Sequence, residues 1–317
     1  MEARGIAVPD AAGSGRRLQA ASPRYGEKAI KAFLAGCAVL SIATTTAIVI
    51  SLMIPAVDFF RDVPVGDFLF KTEFAPAQDL FGVIPLVVGT LSVVLWGMVF
   101  AIPIGLGTAI YLSEYATPRV RRVVKPIIEI LAGIPTVAIG FFGVAFLIPL
   151  FQDIWPGSFL GGPPGFYMVG AAGLCIGLMI VPIIASISED AMSSVPSGLR
   201  EGAYALGASK MRVATRVVFP AALSGIVASL VLAVSRAIGE TMIVLLVAGN
   251  TPNITFNPVE VVQAMTAFIG VSATGDIAQG TVEYNTVFAV GTLLFLITLV
   301  MNLVAIRFVR KYRQVYE

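Results

Sequence analysis

A chain of 317 residues with 57% hydrophobic and only 13% charged residues departs from soluble domains, which run at about 45–50% and roughly 25%. A soluble fold of this length could not cover so much apolar surface, so lipid must act as part of the solvent, and the net charge of +2 gives no case for nucleic acid. Histidine is absent and the two cysteines, Cys37 and Cys175, both lie inside apolar runs; this argues against imidazole metal sites, histidine proton relays and a disulfide framework, and both thiols read as buried small hydrophobes.

Residues 1–31 contain no apolar stretch of the kind a signal peptide needs. They read as a disordered tail that Arg16, Arg17, Arg24, Lys28 and Lys31 hold in the cytoplasm. The remainder, 32–317, reads as one transmembrane domain. A hydrocarbon core about 30 Å thick needs roughly 20 residues of helix. Six stretches qualify, at about 32–55, 83–112, 127–151, 166–187, 222–249 and 285–309. Each must be helical, because only hydrogen bonds within the segment satisfy the backbone in lipid. The second is too long for one upright span and is expected to tilt or bend near Pro103.

Charge alternates along the connections. Residues 113–126 carry Arg119, Arg121, Arg122 and Lys125, and residues 188–221 carry Arg200, Lys210, Arg212 and Arg216. The C-terminal end carries Arg307, Arg310, Lys311 and Arg313. Between them, 56–82 has only Arg61 and Lys71 among five acids, and 152–165 and 250–284 have no Lys or Arg. The positive-inside rule then places both termini in the cytoplasm. Channels, secondary carriers, membrane enzymes and transporter subunits all share such a layout.

The cytoplasmic segment 188–221 is the most informative. From Pro196 to Pro220 it reads as two short helices with a break. Ser197 is placed to cap the first, with Leu199, Ala203 and Leu206 on one face. Gly207 sits where a left-handed residue ends a helix. Ser209 is placed to cap the second, on which Lys210, Arg212 and Arg216 are charged and Met211, Val217 and Val218 apolar; Pro220 opens span five. Such a hairpin either docks a cytoplasmic partner or lies on the headgroups, and its physics alone leaves both open.

The residues themselves resemble the EAA loop of ABC-importer permeases: Glu-Ala-Ala, three residues, Gly, nine residues, then Ile-x-Leu-Pro. Here Gly207 lies six residues after Glu201 and Pro220 nineteen after it. Gly202 replaces an alanine, at a cost of up to about 1 kcal/mol in helix stability, and Val217 and Phe219 depart conservatively. The resemblance implies an all-α, MetI-like permease fold in which this loop is a coupling helix seated in a cleft of an ATPase subunit. Glu201, Gly202, Ala203, Gly207 and Pro220 would then belong to that coupling element. No phosphate loop ending in Gly-Lys-Ser/Thr occurs in the chain, so ATP and Mg belong on the partner ATPase and no cofactor is expected here. A zinc-protease motif and a Gly-x-Ser-x-Gly elbow are also missing, so an enzyme reading has little support.

Span five contains Arg236 at its midpoint and Glu240 one turn later. Each such charge costs roughly 2.5–3.5 kcal/mol at a bilayer centre, so neither is expected to face lipid. At i,i+4 they share a helix face and can pair, although Arg before Glu is the weaker order. They read either as a structural salt bridge or, the favoured reading, as a pathway element in which Arg236 offers its fork to an oxyanion and Glu240 orients it. Gly239 between them would allow a close helix approach or a local unwinding.

The run Arg236-Ala-Ile-Gly-Glu-Thr-Met242, followed by Gly249-Asn250, resembles the fifth span of phosphate-importer permeases, nearest to the C-type subunits of phosphate-specific transport systems. Ala132-Gly-Ile-Pro-Thr-Val137 with Gly140 and Gly143 is similar too, although Ala138-Ile139 departs from the usual Val-Tyr. The similarity covers roughly residues 80–310. It implies import of inorganic phosphate across a bacterial inner membrane, with Arg236, Gly239, Glu240 and Thr241 along the pathway. It also implies partners: a homologous A-type permease (PstA-like), ATPase subunits (PstB-like) and an extracytoplasmic phosphate-binding protein (PstS-like). Import of sulfate or molybdate, or an ATPase-independent carrier or channel, are the alternatives. Three smaller features complete the reading. Gly173 and Gly177 suggest close helix packing in span four, Gly161–Gly165 an external turn, and Lys125 with Glu129 an interfacial pair.

Overall fold

The computed structural model describes residues 25–154 and 165–312. Residues 1–24 of the expected tail, and positions 161–164 of the expected external turn, lie outside the described residues. The chain divides at Ser51 into two units.

Helix α1 runs from Tyr25 to Asp62. Residues 25–31 therefore belong to a helix rather than a tail, because Glu27-Lys28-Ala29-Ile30-Lys31-Ala32 are good helix formers with no break among them. In the unit that ends at Ser51, Ile30, Phe33, Leu34, Val39 and Leu40 are all exposed. Cys37 is exposed with them rather than buried. A helix apolar all round belongs in lipid or against another membrane helix.

In the second unit, α2 (Val65–Phe70) and a two-stranded hairpin, β1 (Phe74–Ala75) with β2 (Leu80–Phe81), follow the end of α1. Edge-to-face contacts among Phe59, Phe60, Phe68 and Phe81 hold this corner together, and Phe74 meets Phe268 in the same way. This hairpin is the one departure from an all-helical fold among the described residues.

Helix α3 (Ile84–Ile110) passes unbroken through Pro103 and continues into a π-helical turn, Tyr111–Tyr115. Next comes α4 (Pro118–Leu131), capped by the Thr117 hydroxyl, which accepts from the Val120 amide. The third span begins only at Thr136, in α5 (Thr136–Ile154), and not near 127. Pro135 disfavours helix at Ile134 and fixes the break. Ile127, Ile130 and Leu131, which looked like part of a span, are the exposed apolar face of a separate amphipathic helix.

Helix α6 (Val169–Ser193) is the centre of the unit and packs most extensively against α3. The two backbones meet at glycines. A Cβ on Gly173 would stand 2.5 Å from Trp96 Cβ and 3.0 Å from the Gly97 amide nitrogen. After α6 come α7 (Ser197–Ala205), α8 (Lys210–Ala221, including a π-helical turn at Ala214–Val218) and α9 (Leu223–Ile238). The α8–α9 junction bends by 72°. Counting this bent pair as one span, six candidate spans are present among the described residues.

The segment 250–284, expected to be an outer loop, turns inward. Val259, Val262, Ala264, Met265 and Ala267 are buried, and residues 265–274 form a short helix, α10 (Met265–Thr274), before the final helix α11 (Val282–Tyr312). The extended stretch before α10 satisfies the N-terminal amides of α6 that no helix can satisfy itself. Val169 N–H donates to the Glu260 carbonyl at 3.0 Å and Gly170 N–H to the Pro258 carbonyl at 2.7 Å. The Trp96 indole donates to the Phe256 carbonyl at 3.0 Å and fastens the same stretch to α3.

Gly173→Val should destabilise the protein by about 3 kcal/mol, since neither backbone can retreat. Gly107→Val, at a position with open space around it, should be tolerated. Thermal unfolding of the detergent-purified protein distinguishes the two.

Candidate functional site

The fifth span is interrupted where its charges lie. Helix α9 ends at Ile238, residues 239–241 leave the helical ladder, and a further helical turn runs from Met242 to Ala248. Glu240 is buried, 7% exposed. Its Oε1 accepts from the Met242 amide at 3.0 Å and the Ile243 amide at 3.3 Å. The carboxylate thus caps the second half of the span, where charge and amide dipoles favour it. The Thr266 hydroxyl of α10 donates to the Glu240 carbonyl at 2.7 Å and fixes the break from the other side.

The expected Arg236–Glu240 pair is not formed. The i,i+4 relation assumes a continuous helix, and the chain unwinds between the two residues. Arg236 is exposed, and among the described residues its guanidinium has no ion-pair partner. Beside it, the Ser235 hydroxyl donates to Asn302 Oδ1 at 2.9 Å, tying α9 to α11. A Cβ on Gly239 would meet only carbonyls of its own helix, at 3.8 Å, so this glycine serves the unwinding and not a close approach. Thr241 is half-buried next to it, its methyl facing Gly270 of α10.

The helical hairpin lies at the other end of α9. Ser197 is the first residue of α7 and makes no cap; Pro196 holds the cap position without a side-chain bond. Ser209 occupies the cap position of α8, also without a side-chain bond. Gly207 has φ +77°. Around it Gly207 N–H donates to the Tyr204 carbonyl at 2.9 Å and Ala208 N–H to the Ala203 carbonyl at 3.1 Å, the paired bonds of a Schellman ending. Glu201 and Gly202 are exposed, Leu206 at the tip is 90% exposed, and Ala203 turns inward onto an apolar cluster with Val195 and Val213. Leu199, Ala203 and Leu206 therefore do not share one environment. Pro220 lies in the last turn of α8, ahead of the bend.

A third group was hidden by a boundary. Helix α6 runs to Ser193, so Glu189 and Asp190 lie in its last turns and not in a loop. Lys125 of α4 donates to Glu189 at 2.7 Å and also pairs with Asp190; Arg121 pairs with Glu189 and donates to Ser193 at 2.9 Å. Glu129, the expected partner of Lys125, is exposed. The Glu189 side chain is fully buried. Alongside is a cavity of about 620 Å3 lined by Arg121, Arg122, Lys125 and Glu129. Burial pulls the Lys125 pKa down, but hydrogen bonds to Asp190 and Glu189 outweigh it and hold the ammonium above the ordinary lysine value. A raised pKa stabilises the fold below the unfolded value, about 10.4, and that contribution fades as pH rises through the still higher folded value. The tie of α4 to α6 should therefore loosen only in strong alkali, as limited proteolysis against pH would show.

Two contrasts test this geometry by thermal unfolding of the purified protein. Glu240→Ala should cost about 1–2 kcal/mol by baring two amides, while Glu240→Gln, which keeps an acceptor oxygen, should cost less. The double change Arg121→Met with Lys125→Met strands a buried carboxylate and should cost about 3–5 kcal/mol. Glu189→Gln should cost less, because Arg121 and Lys125 are part-exposed and can turn to water.

Comparison with known proteins agrees with this architecture. Residues 101–314 match the family of binding-protein-dependent transport system inner membrane components. The chain is 33% identical to the probable ABC transporter permease protein YqgH of Bacillus subtilis, over 88% of this chain and 89% of that one. It is 34% identical to the phosphate transport system permease protein PstC of Haemophilus influenzae, over 87% and 91%. Among solved structures, a bacterial alginate ABC transporter bound to its periplasmic protein superposes with a TM-score of 0.62 at 17% identity, covering 88% of this chain and 93% of that one. An inward-facing MetNI methionine ABC transporter gives 0.53 at 21% identity, covering 76% and 100%. With its spans, broken helix and hairpin in that arrangement, this chain belongs to the binding-protein-dependent transport system inner membrane components, as the MetI-like permease of an ABC importer whose ATPase is a separate subunit.

Proposed function

We propose that this permease carries inorganic phosphate inward, with Arg236 as the anion-attracting group of its pathway. One observation carries the reading: a guanidinium at the break of a membrane span, on an exposed face, whose neighbouring carboxylate is committed to capping the next half-helix. A lone cation there costs roughly 2.5–3.5 kcal/mol against lipid, so it belongs on a surface shared with a second permease and wetted by a passing anion. Several relatives named phosphate transport system permease proteins, at 31–35% identity, support phosphate as the anion.

In this reading both termini and the hairpin α7–α8 face the cytoplasm, where basic residues concentrate. The coupling element is Glu201, Gly202, Ala203 and Gly207, with Pro220 leading to the bend. A homologous permease completes the pathway alongside Arg236, Gly239, Glu240 and Thr241. Partner ATPases carry ATP and Mg, and a phosphate-binding protein delivers the cargo from outside. Transport proceeds by alternating access. A single unpaired guanidinium attracts any tetrahedral oxyanion, so sulfate or molybdate stands as the second reading.

ATP-dependent phosphate uptake into proteoliposomes is the test. Arg236→Ala should lower uptake roughly 10- to 100-fold, the value of a charged hydrogen-bonding group, in a complex that still assembles. Undiminished uptake would remove Arg236 from the pathway. With the cognate binding protein present, excess sulfate should leave phosphate uptake unchanged; competition by sulfate would favour the second reading.

A further inference from the structure

The hairpin meets the spanning helices at the π-helical turn Tyr111–Tyr115 that ends α3. On the first arm, Arg200 of α7 donates through Nε and Nη2 to Glu114 Oε1, at 3.2 and 3.0 Å. The same guanidinium reaches the end of α6, donating from Nη1 to the Val195 carbonyl at 2.5 Å and from Nη2 to the Met192 carbonyl at 2.7 Å. The Met192 carbonyl also accepts from the Val195 amide at 3.2 Å, whereas the Val195 carbonyl, beyond the helix end, takes its bond from this side chain. Glu114 is 4% exposed and Arg200 20%. On the second arm, Lys210 of α8 lies over the Tyr115 ring, 5.0 Å from its centre, and the Tyr115 hydroxyl donates to Met211 Sδ at 3.6 Å. Apolar packing of Ala109, Met192, Val195, Val213 and Val218 fills the space between.

The turn thus grips the hairpin on both sides of Gly207. Sliding α7 along α3 would strip a nearly buried carboxylate of its cation, which is costly. At the 72° bend between α8 and α9, no ion pair spans the junction among the described residues.

We infer that Arg200 and Glu114 are the joint through which movement of the hairpin reaches α3 and α6, leaving the bend at Ala222 as the place where span five changes angle. Both are positioning residues, and the inference rests on the proposed reading of the hairpin as the ATPase contact. A displacement imposed on α7 is delivered to two spans by side chains at once, in addition to the covalent path into span five. The Arg200 fork suits this task because one planar group serves a carboxylate and two carbonyls; a lysine has the charge without the geometry.

The test is the coupling ratio, phosphate transported per ATP hydrolysed, measured with the complete complex in proteoliposomes. Arg200→Ala and Glu114→Gln should each lower the ratio roughly two- to thirtyfold while the complex assembles and hydrolyses ATP, and Arg200→Lys should fall between. An unchanged ratio in either of the first two variants would overturn the joint. A purely structural role would lower yield and leave the ratio alone. A second measurement needs no joint residue altered: spin labels at Ser197→Cys on α7 and Ile104→Cys on α3 should keep one distance between the nucleotide-free and ATP-bound complex. A shift in that distance would also overturn it. The underlying reading is separable. Glu201→Lys should release the ATPase; an ATPase that still co-purifies sinks the hairpin contact itself, whereas release with an unchanged Arg200→Ala ratio sinks the joint alone.

Discussion

Inside a bilayer a backbone amide cannot turn to water, and wherever this chain leaves a regular helix something within it must take the freed group. Two places show the solution. At the break in span five, the Glu240 carboxylate takes the amides of Met242 and Ile243, and the Thr266 hydroxyl takes the Glu240 carbonyl. At the start of α6, the carbonyls of Pro258 and Glu260 take the amides of Gly170 and Val169. Both depend on the segment 250–274 folding inward, so that short stretch is a condition for the interrupted spans and not an ornament on their outer side.

The same constraint explains what could be read from the residues and what could not. Spans two, four and six were legible because hydropathy alone decides whether a helix of that length enters lipid. Gly207 was legible because a left-handed helix ending has few other candidates. Span three was placed too early, since Ile127, Ile130 and Leu131 satisfy a hydropathy count equally well on the surface of α4. Helix α10 was invisible, because ten residues are too few to cross and its burial depends on neighbours distant in sequence. Glu189 was hidden by the underestimated end of α6, so Arg121 was counted only as a loop charge and Lys125 was paired with Glu129. The Arg236–Glu240 pair failed for a local reason: spacing rules hold only while the helix does, and the carboxylate instead caps the next half-helix through Oε1.

If Arg236 lines the pathway as proposed, that last failure changes how the pathway would work. A paired Arg236 would make an arriving anion compete with Glu240 for the same guanidinium. An unpaired one has a free fork, and the nearby carboxylate, through its Oε1, keeps the break in shape. Attraction without a cage of donors suits a passage, where a tightly enclosed anion would leave slowly.

The two ends of α9 also belong to one mechanical element. From Ala222 at the bend to Arg236 is fourteen residues, roughly 21 Å of helix. A rotation of about 10° at the bend would therefore carry Arg236 sideways by roughly 4 Å, comparable to the reach of one hydrogen-bonding contact, while every bond inside α9 stays intact. The Ser235–Asn302 bond means α11 would travel with it. Under the proposed coupling role, anchoring the hairpin to α3 and α6 would make such a rotation useful, because an angle changes only relative to something that holds. A loosely attached hairpin would absorb the same push by sliding, and the charge at the middle of span five would stay where it was.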